Sequence, residues 1–194
     1  MKSTIRDILW TFLFAVIAFV ILRFSIQTFR VEMPSMKPSI QPGIWVVVDK
    51  VSYRFGSPQR GDIVVFNSPT EDERDFIKRV IAIPGDTVEI KDESVYLNGV
   101  AFDEPYLANP PNYNTPLQTI PPNEYFVLGD NRNVSVDSHL GWLVPQVNFV
   151  GKAWLIVWPR DQWGTAPHYP PPTGEETANK PLSNSEEGIT LASG

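Results

Sequence analysis

The sequence predicts a mainly β domain preceded by one N-terminal transmembrane helix, and three observations carry that reading. Residues 8–22 are fifteen consecutive positions without a charge. Between residues 43 and 158, short runs rich in Val, Ile and aromatics recur between clusters of Gly, Pro, Asn and Asp, the pattern of strands separated by turns. Beyond residue 163 the chain turns to Pro, Thr, Glu, Asn and Ser with few large apolar groups, a composition that buries too little surface to order itself. The expected organisation is a short N-terminus (1–6), a membrane anchor (7–29), a β domain (30–163) and a disordered tail (164–194).

The anchor comes first. At about 1.5 Å per residue the uncharged run covers roughly 22 Å as a helix, short of a hydrocarbon core of about 30 Å. Continuing the helix through Phe29 supplies the missing length, with Arg23 snorkelling to the headgroups. A cleaved signal peptide would explain Lys2 and Arg6 as well. It would also require small residues after the apolar run, where this chain has Arg23, Gln27 and Phe29. Lys2 and Arg6 favour a cytoplasmic N-terminus, although Arg23, Arg30 and Lys37 follow on the other side, so the positive-inside rule votes only weakly.

Strands are expected at 44–48, 62–66, 76–83, 87–90, 94–97, 124–128 and 151–158. Pro84-Gly85-Asp86 and Asn98-Gly99 are turn signals, the second suited to a tight hairpin. Residues 108–122 carry five prolines and read as an exposed loop rather than a sheet. In a chain of 194 residues this leaves one domain with a short appendage.

Composition narrows the chemistry. A net charge of −6 argues against nucleic acid as a partner, since phosphate binding needs a basic patch. The absence of cysteine removes disulfides, thiol nucleophiles and thiolate metal sites. Two histidines, His139 and His168, are too few for a His-built metal centre. No metal or cofactor is expected.

Three stretches stand out from the β pattern. In Glu32-Met33-Pro34-Ser35-Met36-Lys37-Pro38 a small hydroxyl residue lies between two prolines just past the anchor. In Asp75-Phe76-Ile77-Lys78-Arg79-Val80-Ile81 a lysine interrupts an apolar strand. A serine hydroxyl is a poor nucleophile until a base removes its proton, and a desolvated lysine can serve, because burial disfavours the ammonium. Bringing a lysine from about 10.4 to near 7 requires roughly 4 to 5 kcal/mol of destabilised charge. On its own, Lys78 reads more readily as an edge-strand charge that guards against aggregation. The third stretch runs from Gly129-Asp130-Asn131-Arg132 to Ser135, Asp137, Ser138 and His139. It concentrates polar and charged groups directly after an apolar strand, where a rigid loop could position a catalytic group.

In this order, after one anchor, the stretches resemble bacterial type I signal peptidases, the membrane-bound Ser–Lys proteases that remove signal peptides from exported proteins. The resemblance also rests on Arg60-Gly61-Asp62-Ile63-Val64-Val65-Phe66, on Val80-Ile81-Ala82-Ile83-Pro84-Gly85-Asp86, and on Gly151-Lys152-Ala153-Trp154 before Trp158-Pro159. It implies two antiparallel sheets in a partly open, barrel-like domain outside the cytoplasm. Ser35 matches the nucleophile, Lys78 the general base and Ser135 the hydroxyl that hydrogen-bonds the lysine. Asp137, Asp130, Arg132, Arg79 and His139 match the network that supports the site, and Val65, Phe76 and Ile77 the shallow pockets for small substrate side chains at Ala-x-Ala sites. The implied partners are the signal peptides of secretory preproteins and the lipid bilayer, and a monomer is expected. The cell membrane and an internal membrane such as the thylakoid both fit. The segment 86–128 is too short for the large inserted domain of some Gram-negative members.

Met33 departs from the pattern. Many members carry a hydroxyl two positions before the nucleophile, and a thioether is no comparable donor. After His139 the usual Trp-Gly order is reversed as Gly141-Trp142. The alternative reading is a low-activity or non-catalytic membrane-anchored binding protein of the same family. A His–Asp–Ser protease built on His139, Asp137 or Asp130 lacks a clear third position. Self-cleaving repressors share the Ser–Lys pair but need a DNA-binding module.

Overall fold

The computed structural model describes residues 2–70 and 74–169. Helix α1 (Lys2–Ser25) has 24 residues, about 36 Å at the α-helical rise. Its Thr4–Ser25 segment reaches a mean hydropathy of 2.3, is unburied, and is long and apolar enough to cross a membrane. The helix gains its length at the N-terminal end and does not run on through Phe29 as expected. Ser25 Oγ donates back to the carbonyl of Ile21 (2.7 Å), and Ile26–Arg30 forms strand β1. Those five residues alternate in burial and find backbone partners in β2 (Trp45–Asp49), from Ile26 opposite Asp49 to Arg30 opposite Trp45. An available strand partner overrides continuation of the helix.

A short helix, α2 (Ser52–Phe55), leads to β3 (Ile63–Asn67) and β4 (Asp75–Ala82). Next come β5 (Thr87–Lys91), β6 (Ser94–Leu97), β7 (Val100–Phe102) and β8 (Thr115–Thr119). The chain closes with β9 (Glu124–Leu128), β10 (Val144–Pro145), β11 (Phe149–Trp158) and β12 (Gly164–Thr165). Two antiparallel sheets result. The larger runs β1-β2-β11-β3-β4-β9-β10 with β12 on β11, and the smaller runs β7-β6-β5-β8. β4 is thus an interior strand, and every residue from Phe76 to Ala82 is buried. Arg60-Gly61-Asp62 is a turn into β3: Gly61 takes a φ of +85°, Arg60 pairs with Asp86, and Asp62 accepts from Tyr53 Oη (2.9 Å) and Lys152 Nζ (2.6 Å).

The segment 86–128 holds the whole small sheet and no further domain. Asn98 and Gly99 both take positive φ (52° and 81°), as a two-residue hairpin requires. The small sheet packs Val88, Ile90, Val95 and Leu97 against Phe126 and Leu128 of β9, so the strand that leads into the 129–139 loop is held from both sheets.

Two expectations are corrected. Residues 115–119 are a strand despite Pro116, because β8 lies at the edge of its sheet, where a missing N–H leaves no ladder bond unmade. The register also shifts between Val88 and Ile90 of β5, and Thr115 Oγ1 takes the Ile90 N–H there (3.1 Å). The chain past residue 163 stays structured through residue 169. β12 pairs with β11, the Pro167 carbonyl accepts from Arg79 (3.2 Å), and Tyr169 stacks on Tyr106 at 5.0 Å. An aromatic partner and a buried guanidinium supply the contacts that composition alone does not reveal. The disorder expected for 170–194 falls outside the described residues.

Candidate active site

Ser35 is the middle residue of a 3₁₀ turn, Pro34–Met36, that follows β1. Proline suits the first position of such a turn, where its missing N–H would be unpaired anyway. The turn is fixed from both sides. Val31 and Met36 are fully buried in one apolar cluster with Ile40, Ile44 and Val46, and Val31 exchanges backbone hydrogen bonds with Ile44 and Gly43 (2.9 and 2.7 Å). From above, Asn131 donates its backbone N–H to the Ser35 carbonyl (2.9 Å) and its side-chain amide to the Pro34 carbonyl (3.1 Å). Asn131 therefore ties the 129–139 loop to the serine turn. Sequence reading passed over it because asparagine in a turn needs no further explanation.

Lys78 enters from β4. An edge-strand charge would be exposed, but Lys78 has 1% of its surface accessible and its amine lies 5.4 Å from the centre of the Phe76 ring. Burial lowers its pKa from 10.5 to about 8, against the opposing pull of Asp137 and, less, Asp130. Among the described residues it makes no ion pair. Ser35 and Lys78 line the same cleft of about 430 Å³. Phe76 and Ile77 line it as expected, and Met33 does so too. Val65 does not. It is fully buried in the apolar cluster beneath, with Ile77 and Ala153, because β3 is covered on both faces.

The 129–139 loop closes over the serine turn. A Cβ at Gly129 would sit 2.3 Å from Ser135 Oγ and 2.5 Å from the Ser35 carbonyl oxygen, so only glycine allows that approach. Ser135 Oγ is buried and makes no hydrogen bond among the described residues, so the expected Ser135–Lys78 hydrogen bond is not formed. Asp137 Oδ2 accepts the Gly129 N–H (2.8 Å), and Oδ1 faces His139 Nδ1 at 2.7 Å. Asp130 receives both arms of Arg79 (2.9 and 2.7 Å), a fork-to-carboxylate geometry that suits guanidinium, with neither side chain exposed.

Arg132 departs from expectation. It joins neither Asp130 nor Asp137 but forks onto Glu104 (2.5 Å to each oxygen). The small sheet and its loops supply more of this shell than the sequence suggested. Tyr106 lies 4.4 Å under the Arg79 guanidinium, Asn133 accepts from Asn112 N–H and donates to the Pro110 carbonyl, and Tyr113 stacks on His139 at 4.1 Å. Contacts of this kind join residues about 25 positions apart and leave no local pattern. His139 pairs with Asp137, but no hydroxyl among the described residues bonds to it, so a His–Asp–Ser triad is not assembled.

A β domain on an apolar helix, with a serine and a buried lysine on one cleft, holds the side chains that hydroxyl-nucleophile chemistry requires. Comparison with known proteins narrows the class. The family described as "Signal peptidase, peptidase S26" matches residues 4–158. A probable signal peptidase I-1 of Synechocystis is 42% identical over 158 residues, covering 77% of this chain and 81% of the relative. Signal peptidase I of Leptolyngbya laminosa is 39% identical over 167 residues (79% and 81%), and signal peptidase IB of Staphylococcus aureus 36% over 162 (74% and 84%). This chain belongs to the signal peptidase family, peptidase S26, the serine peptidases whose members these are.

Proposed function

We propose that the chain is a single-pass type I signal peptidase that cleaves secretory preproteins after small residues. In this reading the N-terminus is cytoplasmic and the β domain stands outside the cytoplasm at the membrane surface. The observation that carries it is the placing of Ser35 and a buried Lys78, with a pKa near 8, on one cleft. Neutral Lys78 takes the Ser35 hydroxyl proton while Oγ attacks the scissile carbonyl carbon. As the C–N bond breaks, the lysine proton passes to the departing amine and an acyl-enzyme ester remains. Lys78 then removes a proton from water, which hydrolyses the ester.

Sheet geometry supports an extended substrate. Among the described residues, β4 pairs with β9 only from Arg79 onward, so residues 75–78 have an unpaired edge opposite β3, and the outer edge of β1 is unpaired as well. Residues from both lie along the cleft. A peptide strand can add to such edges through its backbone, with Phe76, Ile77 and Met33 limiting the size of the side chains that point inward. For a preprotein with an Ala-x-Ala site, reconstituted with enzyme in detergent, the expected result is one cut after the second alanine. Replacing that alanine with phenylalanine stops cleavage. Equal cleavage of the two substrates would overturn the specificity.

Met33 is 38% exposed on the cleft wall, which is the one observation that favours a weakly active relative. It leaves the oxyanion to backbone donors such as the Ser35 N–H. A single added donor at such a site is worth about 10²–10³ in rate elsewhere. Met33→Ser is therefore expected to raise kcat, by roughly tenfold or more, with KM little changed. Wild-type inactivity toward every Ala-x-Ala substrate, with Met33→Ser equally inert, would favour the binding-protein reading.

A further inference from the structure

Residues 164–169 run from β12 onto the back of the site. Gly164 and Thr165 pair with Ile156 and Leu155 of β11, and the Ala166 N–H donates to the Trp154 carbonyl (2.8 Å). His168 Nδ1 then faces Asp62 Oδ1 at 3.5 Å. The segment meets Arg79 at two residues. One terminal nitrogen of that guanidinium donates both to the Gly61 carbonyl (3.0 Å) and to the Pro167 carbonyl (3.2 Å). The Tyr169 ring lies 5.3 Å from the guanidinium carbon and stacks on Tyr106 at 5.0 Å and 22°, whose own ring is 4.4 Å from the same carbon. The Arg79 side chain is 0% exposed, whereas Tyr169 is 40% exposed. Tyr169 is therefore an outer wall over a buried cation.

What lies beneath that wall leads to the serine by direct contacts. Arg79 forks onto Asp130 (2.9 and 2.7 Å). The next residue, Asn131, donates its N–H to the Ser35 carbonyl (2.9 Å) and its amide to the Pro34 carbonyl (3.1 Å). A buried pair of this kind is strong because water is kept away, and it weakens once solvent competes for its donors. We propose that residues 164–169 form a positioning strap, in which Pro167 and Tyr169 seal Arg79 onto Asp130 and so hold Asn131, and with it the Ser35 turn, in place. The strap touches no reacting atom, and its effect on rate rests on Ser35 as the nucleophile. It follows the residues, 4–158, that the family matches.

The experiment uses the full chain in detergent, as wild type, Tyr169→Ala and Tyr169→Phe. Hydrogen exchange is followed by NMR at Arg79 Nε–H, assigned by its loss in Arg79→Lys, and at the Asn131 backbone N–H. The Ile120 N–H, bonded to the Asp86 carbonyl (2.8 Å), serves as the reference for global opening. Tyr169→Ala is expected to speed exchange at Arg79 and Asn131 by about tenfold or more while Ile120 stays as in wild type, the pattern of a local opening. On an Ala-x-Ala peptide its kcat falls roughly tenfold, with KM within about twofold, because the serine turn is displaced and the substrate edges are not. Tyr169→Phe keeps the ring and restores both exchange and kcat. Unchanged exchange at Asn131 overturns the proposal, as does faster exchange at all three sites alike, which is loss of stability and not of position. A loss confined to KM, or a Tyr169→Phe enzyme as slow as Tyr169→Ala, also overturns it. If Tyr169→Ala does not fold, Tyr169→Leu, which fills part of the space but cannot stack, decides by the same criteria. Should the wild type cleave no Ala-x-Ala peptide, the peptidase reading fails on that result, and the exchange rates at Arg79 and Asn131 still decide the strap.

Discussion

Ser35→Ala and Lys78→Met each lower kcat for preprotein cleavage by at least about 10³-fold, and the double variant is hardly worse than either alone. Residues that act as one unit are grossly non-additive in this way. Removing the hydroxyl removes the atom that forms the acyl-enzyme, and removing the amine leaves a hydroxyl that stays protonated at neutral pH. The two variants separate in stability. Ser35→Ala removes one small buried group and leaves Tm near wild type. Lys78→Met raises it. Burial holds the folded-state pKa of Lys78 near 8, below its ordinary 10.5, so the folded state binds fewer protons than the unfolded state between those values. The penalty is fully present below about pH 8 and relieved as pH rises toward 10.5, and its size is roughly 3 kcal/mol. An apolar chain of similar length escapes it. A Lys78→Met protein that is inactive and also less stable at pH 7 would contradict the account of a strained, desolvated base. Residual cleavage within tenfold of wild type in either variant would contradict the dyad itself.

Gly129→Ala is the second large effect, and it acts through backbone spacing. The added methyl would lie inside van der Waals contact of Ser135 Oγ and the Ser35 carbonyl at once. One of those contacts is main chain and cannot rotate away. The serine turn and the 129–139 loop must separate, which strains the Asn131 bonds to Pro34 and Ser35 and the Gly129 N–H bond to Asp137. A displacement near 1 Å at a reacting group can cost about 10²-fold, so kcat is expected to fall by that order, with KM changed far less. Circular dichroism should show the β domain intact. A Gly129→Ala enzyme with wild-type kcat would mean that the loop does not position the serine.

How much of this was legible in the sequence differs from element to element. The apolar helix, the hairpin at Asn98-Gly99, the strand after Ser35 and the strand that carries Lys78 follow from local rules: apolar length, turn chemistry and runs of β-formers. The end of α1 was misplaced because 21–29 is apolar enough for either state, and only the partner strand Trp45–Asp49 decides between them. Pro116 hid an edge strand, since a proline rules out interior strands but not edges. Motif order, and the resemblance that order carries, single out Ser35, Lys78, Arg79, Asp130 and Asp137 as candidates. Tyr113, Glu104, Tyr106 and Asn131 are not singled out, since their parts depend on how two sheets bring distant turns together. Val65 was misjudged for a related reason: alternation places a residue on a face but does not say whether that face meets a cleft or a core.

The claim beneath all of this is that a lysine, kept neutral by burial, activates Ser35. The pH dependence of kcat/KM on a short Ala-x-Ala peptide, measured from about pH 6 to pH 10, tests it most directly. The account predicts a single acid limb with a midpoint near the Lys78 pKa of about 8. Below that midpoint the rate falls about tenfold per pH unit, as it must when only the neutral base is active. A profile flat across the neutral range, or a limb near 6.5 that vanishes in His139→Ala, would contradict it.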